Sequence, residues 1–241
     1  MSNAFFRASI LVMALVMINP GQGWAGPIGD FEAAFSAAYA DYRAALLHTN
    51  RNDKPATERV LSEFVAKWQG LKTRWGAVPP PHMAEDLQWA ATLEKVATIA
   101  VQAQKETALG ELPKAHETLE AIRGQIGALR ERNRQVTFSD RMNAYHAKME
   151  RVLEQNSSVS DAHALGLLRE EAAVLVYLAD DLERHAPPQY KIELKFGEAL
   201  SAIKKSVSAL VEAARAGEAA DAKKALQGLK GPYARMFLQF G

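Results

Sequence analysis

The sequence predicts an all-α protein built from long antiparallel helices that are joined in αα-hairpins. Many of its 241 residues are Ala, Leu, Glu, Lys or Arg, which favour helices. Apolar residues recur with the spacing of one helix face, and no segment shows the alternation typical of a β-strand. Helix-breaking segments divide the chain into eight predicted helices, each of roughly 20 to 27 residues. The predicted turns fall at residues 27–29, 50–54, 77–82, 109–112, 133–137, 156–160, 186–189 and 216–218.

Residues 1–25 have the features of a cleavable secretory signal peptide. Arg7 precedes an apolar run of eleven residues, and Gly23 and Ala25 are the small residues expected just before a cleavage site. An uncleaved anchor is the alternative, but the run is shorter than the roughly 20 residues that span a bilayer as a helix. We therefore expect an exported protein, in a bacterial periplasm, without an integral membrane segment after cleavage.

Composition and charge exclude several classes of function. The sequence contains no cysteine, so a disulfide, a thiolate metal site, a cysteine nucleophile and covalently attached c-type haem are all excluded. Removal of Arg7 with the signal peptide reduces 29 basic residues to 28, which equals the 28 acidic residues. A neutral chain without a basic block is not typical of a protein that binds nucleic acid or an anionic membrane surface.

A sequence repeat around three of the turns indicates the hairpins. Gly110, Gly217 and Asn52 are each followed by mainly apolar residues at plus five, plus nine, plus twelve and plus sixteen. We expect each of the three to adopt the left-handed conformation that ends a helix, so that the next helix packs back on the preceding one. The residues at the four offsets are Ala115, Leu119, Ile122 and Ile126; Ala222, Leu226, Leu229 and Tyr233; and Thr57, Leu61, Phe64 and Trp68.

Helix length and turn length favour two four-helix bundles in tandem over a superhelical repeat array. The first bundle is predicted over residues 27–135 and the second over 136–241. The polar and charged segment 130–135 separates them. A single array of eight helices is the alternative.

The clearest candidate for a metal site lies on the first helix of the second unit. Met142, His146 and Met149 are spaced four and three residues apart and so share a helix face, and Glu150 lies one turn beyond His146. Thioether and imidazole ligands suit Cu(I) or a haem iron. The Glu-x-x-His pairs of di-iron bundles do not occur in the sequence. The competing interpretation is an ordinary core stripe made of Phe138, Met142, Tyr145, Met149 and Val152.

In architecture and hairpin pattern, most of the mature chain resembles the periplasmic four-helix-bundle cytochromes, namely the small b-type proteins and the cytochrome c prime group. The b-type members hold haem with a Met on the first helix of the bundle and a His on the last. Here the second unit has Met142 and Met149 on its first helix, whereas its predicted last helix, residues 219–241, contains no His. The Cys-x-x-Cys-His attachment motif of the c-type members is also missing.

The sequence therefore predicts a non-enzymatic periplasmic bundle that binds or carries copper, iron or haem through Met142, His146, Met149 and Glu150. No nucleophile motif or phosphate-binding loop argues for catalysis. His116 has no partner that the sequence suggests. The alternative function is a ligand-free envelope adaptor that docks a partner protein through amphipathic helices and the aromatic C-terminal segment, residues 232–241.

Overall fold

The computed structural model describes residues 26–154 and 162–241, and over these ranges the protein is all-α. The described residues contain α-helices and one 3₁₀ turn but no strand, which confirms the predicted class. None of the helices in these ranges combines the length and apolarity needed to cross a membrane. The predicted signal peptide and the predicted turn at 156–160 lie outside the described residues.

The described part of the chain folds into helices that mostly follow the predicted turns. In chain order they are α1 (Pro27–Asn50), α2 (Lys54–Trp75), the 3₁₀ turn (Pro81–Met83), α3 (Trp89–Ala108), α4 (Leu112–Arg132), α5 (Phe138–Glu154), α6 (Ala162–Arg184), α7 (Pro188–Lys191), α8 (Leu194–Ala216), α9 (Ala219–Gln227) and α10 (Lys230–Phe240).

The prediction of one continuous helix over residues 219–241 was wrong, because the chain there forms α9 and α10. The N–H of Gly228 bonds back to Lys224 and Ala225, and the helix restarts at Lys230. Pro232 supplies the physical reason, since it has no N–H to donate and is tolerated only within the first turn of a helix. The described part of α5 spans 17 residues, Phe138–Glu154.

The three predicted hairpin turns have the expected backbone. Asn52, Gly110 and Gly217 have φ values of 57°, 81° and 81°, which places all three in the left-handed region. The N–H of the residue after Asn52 or Gly110 bonds to a carbonyl five residues earlier, at 3.0 Å and 2.9 Å, and so closes the helix end. All twelve repeat positions that follow these turns are buried, as predicted. Arg134 is a further left-handed residue, with φ 55°, which the sequence did not reveal.

The turn between α3 and α4 offers a matched pair of glycine substitutions. Gly110→Ala should lower the free energy of unfolding by about 1 kcal/mol, because a Cβ disfavours positive φ even where space is open. Gly124→Ala, inside α4 and equally unobstructed, should raise it by about 0.5–1 kcal/mol because alanine favours helix. Urea unfolding of both variants measures the two values. Equal effects in the two variants would contradict the role assigned to Gly110.

The helices pack as two rings that share a core. Helices α1, α2, α3 and α4 contact one another in order, and α4 closes the ring on α1. In the second ring α5 contacts α6, α6 contacts α8, and α10 contacts both α8 and α5. This pattern agrees with two four-helix bundles, although their buried side chains form one continuous apolar cluster. The domain boundary remains a prediction.

The two rings also meet through polar contacts. The Ser139 hydroxyl donates to the Tyr39 hydroxyl at 3.0 Å, and Arg130 pairs with Asp140 at 3.2 Å. Helix α10 packs against α1 as well as against its own ring. This junction leaves a cleft between the rings.

Candidate functional site

The predicted ligand residues divide between the core and this cleft. Met142 is fully buried on α5 and does not line the cleft, whereas Met149, His146 and Glu150 line it. The remaining members of the predicted core stripe are also buried: Phe138, Tyr145 and Val152. The structure therefore places His146 and Glu150 together but leaves Met142 in the core.

The cleft between the two rings is lined by α1, α4, α5 and α10 and has a volume of about 580 Å³. This size falls within the range of roughly 300–1,000 Å³ that is usual for small-molecule sites. Its polar side chains include Arg43, His116, Glu120, Arg123, His146, Glu150, Lys230 and Tyr233. Its apolar wall includes Leu46, Leu47, Met149, Phe237 and Leu238.

Two histidines and two glutamates face each other across the cleft. His116 and Glu120 are four residues apart on α4, and His146 and Glu150 have the same spacing on α5, so each pair shares a helix face. The Oε1 atom of Glu120 lies 3.7 Å from Nε2 of His116 and 3.9 Å from Nε2 of His146. The Oε1 atom of Glu150 lies 3.4 Å from Nε2 of His146.

Hydrogen bonds set the tautomer of His116. The Thr49 hydroxyl donates to the backbone carbonyl of Ala45 at 2.9 Å, so it accepts at 2.8 Å from Nδ1–H of His116. Burial lowers the pKa of His116, which keeps the imidazole neutral at pH 7. Its Nε2 lone pair is therefore free toward the cleft. Metal-binding histidines typically have this arrangement, in which the other ring nitrogen donates to an oxygen.

Arg123 lies among these four side chains. Its Nη1 contacts Nδ1 of His146 and lies 3.3 Å from Oε1 of Glu120, and its guanidinium lies over the ring of Phe237. Since a guanidinium can only donate, Nδ1 of His146 accepts and the proton of the neutral imidazole is on Nε2. No group of three or more His, Asp and Glu side chains in the described ranges is arranged to hold a metal ion as it stands.

Glu150 is held in its charged form. Its Oε2 atom lies 3.1 Å from Nζ of Lys230, and its other oxygen faces His146. Hydrogen bonding by His146, together with Lys230 and against the opposing effect of burial, lowers the pKa of Glu150 to about 2. The carboxylate is therefore ionised at any pH where a metal could bind to neutral imidazoles.

The aromatic C-terminal segment packs inward. Tyr233, Met236, Phe237 and Phe240 are buried, and Tyr233 stacks on Tyr145 with a ring-centroid distance of 5.8 Å. These residues belong to the last core helix, and Tyr233 and Phe237 also line the cleft. A partner that docked on this segment would find little of its apolar surface exposed.

Sequence reasoning missed His116, Glu120 and Arg123 as members of the candidate site. One signal could have found two of them: the His-x-x-x-Glu spacing at 116–120 recurs at 146–150. Neither occurrence indicates by itself that the two helices face each other, and nothing in the sequence places Arg123 between them.

Comparisons with known protein families, with curated proteins and with solved structures find no significant match to this chain. The interpretation of the cleft therefore rests on its own geometry. The resemblance to bundle cytochromes rests on architecture and stays a prediction.

Proposed function

We propose that this chain is an exported, non-catalytic metal-binding protein, with His116, Glu120, His146 and Glu150 as the ligands. The separation of their donor atoms carries the proposal. A tetrahedral ion with bonds of roughly 2.0–2.2 Å places its donors about 3.3–3.6 Å apart. The 3.4 Å between Glu150 and His146 falls within this spacing, and the 3.7 and 3.9 Å from Glu120 to His116 and to His146 lie slightly above it and beyond hydrogen-bond length.

The ligand set favours a divalent ion. Imidazole and carboxylate are borderline and hard ligands, which suit zinc, iron(II) and copper(II), whereas Cu(I) prefers the thioethers of methionine. This set keeps His146 and Glu150 from the sequence prediction. It replaces Met142 and Met149 by His116 and Glu120, because Met142 packs in the core away from the cleft and Met149, which lines the cleft, is only 1% exposed.

Binding requires one rearrangement within the cleft. The Arg123 guanidinium has to leave Nδ1 of His146, so that the imidazole proton can move to Nδ1 and free Nε2. The side chain of Arg123 is 13% exposed and lines the cleft, so it can swing toward solvent. The bound ion then provides the positive charge next to Glu120 that Arg123 provides in its absence.

Metal analysis of the protein purified from the full-length gene without chelators tests this proposal. We expect one divalent ion per chain, and His146→Ala or His116→Ala should weaken Zn²⁺ binding by about 100-fold or more, because losing a ligand costs at least as much as losing an outer-shell partner. His163→Ala changes an exposed histidine on α6 and is the matched control. The N-terminal residue of the purified protein and its cell fraction test the predicted export and cleavage.

Two outcomes would contradict the proposal. One is undiminished Zn²⁺ binding when His116 and His146 are both replaced. The other is wild-type protein that takes up no divalent ion. A haem Soret band in the purified protein would make haem the ligand of the cleft instead.

A further inference from the structure

Arg43 is a half-buried cation without an anionic partner among the described residues. It lines the cleft between the two rings from α1, and its Nε atom is buried with no hydrogen-bond acceptor. Its guanidinium lies near the ring of Tyr39, 5.7 Å from the ring centroid, and no described carboxylate forms an ion pair with it. Burial lowers the pKa of Arg43. A buried N–H without an acceptor is costly, so an anionic ligand that accepts from this guanidinium would be stabilised here.

The other charged groups of the cleft leave this charge uncompensated. Glu150 pairs with Lys230, and Glu120 lies beside Arg123. The two remaining carboxylates, Glu117 and Glu154, are exposed at the rim, where water screens them. Arg43 is therefore the cation among the described residues of the cleft lining that forms no ion pair.

Apolar side chains adjoin this cation. Leu46 and Leu47 lie three and four residues after Arg43 and so share its face of α1. Phe237 and Leu238 of α10 line the same cleft. The hydroxyl of Tyr233, which is almost fully buried on α10, has no hydrogen-bond partner and adds a second unsatisfied polar group to the lining.

We propose that the cleft binds an organic carboxylate with an apolar body. Its carboxylate lies against the guanidinium of Arg43, which offers paired N–H donors of matching geometry, and its body lies against Leu46, Leu47 and Phe237. The metal ligands are not needed for this contact. The proposal therefore goes beyond the metal site and is tested in metal-free protein.

Titration calorimetry with octanoate tests the proposal. The protein is expressed from the full-length gene and treated with a chelator to remove metal. We expect saturable binding that Arg43→Gln weakens by roughly 10- to 100-fold, the size expected for a charge-assisted pair. Arg51→Gln, which changes an exposed arginine just after the end of α1, is the control and should leave the affinity unchanged. Arg43→Lys keeps the charge without the paired geometry and should fall between wild type and Arg43→Gln. It also provides a readout if the glutamine variant does not fold.

Two further probes, octanamide and inorganic phosphate, test separately whether binding needs the charge and the apolar body. Octanamide has the same body without the charge and should bind much more weakly than octanoate. Equal binding of octanamide, binding of inorganic phosphate as tight as that of octanoate, or equal losses in the Arg43 and Arg51 variants would each overturn the proposal. Octanoate binding is measured without metal and Zn²⁺ binding without octanoate, so failure of the metal proposal would be seen separately.

Discussion

Replacing Trp68 by alanine is expected to lower the free energy of unfolding by about 3–5 kcal/mol, the range seen when a large aromatic side chain is removed from a core. Trp68 is 1% exposed and packs against Phe35 and Phe64 at ring-centroid distances of 5.7 Å. Its indole N–H donates to the backbone carbonyl of Leu93 at 2.9 Å, which links α2 to α3. The substitution therefore leaves a cavity and removes the side-chain donor to the Leu93 carbonyl.

Urea unfolding followed by circular dichroism measures this loss. Tyr177→Ala on α6, where the side chain is 61% exposed, is the control and should change the free energy by no more than about 0.5 kcal/mol. A loss below about 1 kcal/mol for Trp68→Ala would contradict the packing described for the first ring. If the two rings unfold in separate transitions, only the one that belongs to residues 27–135 should shift.

The fold could be predicted largely because its determinants are local in sequence. The period of the apolar residues defines each helix face. The left-handed turns at Gly110 and Gly217 can be predicted from the glycine and its neighbours in sequence alone. Arg134 shows the limit of this reasoning, because it has a left-handed backbone although arginine does not favour that conformation. The break before Pro232 could have been predicted from the missing N–H of proline.

The site could be predicted only in part because it depends on which helices meet. Met142, His146 and Met149 do share a face of α5 in sequence, but periodicity does not say which side of that face is buried. Packing places Met142 in the core and leaves His146 at the cleft. Glu120 of α4 lies 3.9 Å from His146 and 3.7 Å from His116, and no local sequence pattern predicts that these two helices meet.

Arg123→Gln is expected to bind Zn²⁺ more tightly than the wild-type protein, by about 10- to 100-fold. Two effects of the guanidinium oppose the ion. It is a positive charge next to Glu120, and a repulsion between unit charges 4 Å apart is worth about 4 kcal/mol in surroundings of intermediate polarity. It also donates to Nδ1 of His146, which keeps the imidazole proton on the nitrogen that has to bind the metal. The gain is smaller than the full repulsion, since Arg123 can swing away in the wild-type protein.

Competition titration of Zn²⁺ against a chelator measures this gain in affinity. Arg130→Gln is the matched control, because Arg130 is also a buried arginine on α4 but pairs with Asp140 outside the cleft. Without metal, Arg123→Gln should unfold at a lower temperature than wild type, because Glu120 loses its partner. With saturating Zn²⁺ its unfolding temperature should rise by more than that of wild type, since tighter binding stabilises the folded state further. Weaker Zn²⁺ binding in Arg123→Gln would instead mean that Arg123 helps to hold the ligands in place. It would contradict the proposal that the ion replaces the guanidinium.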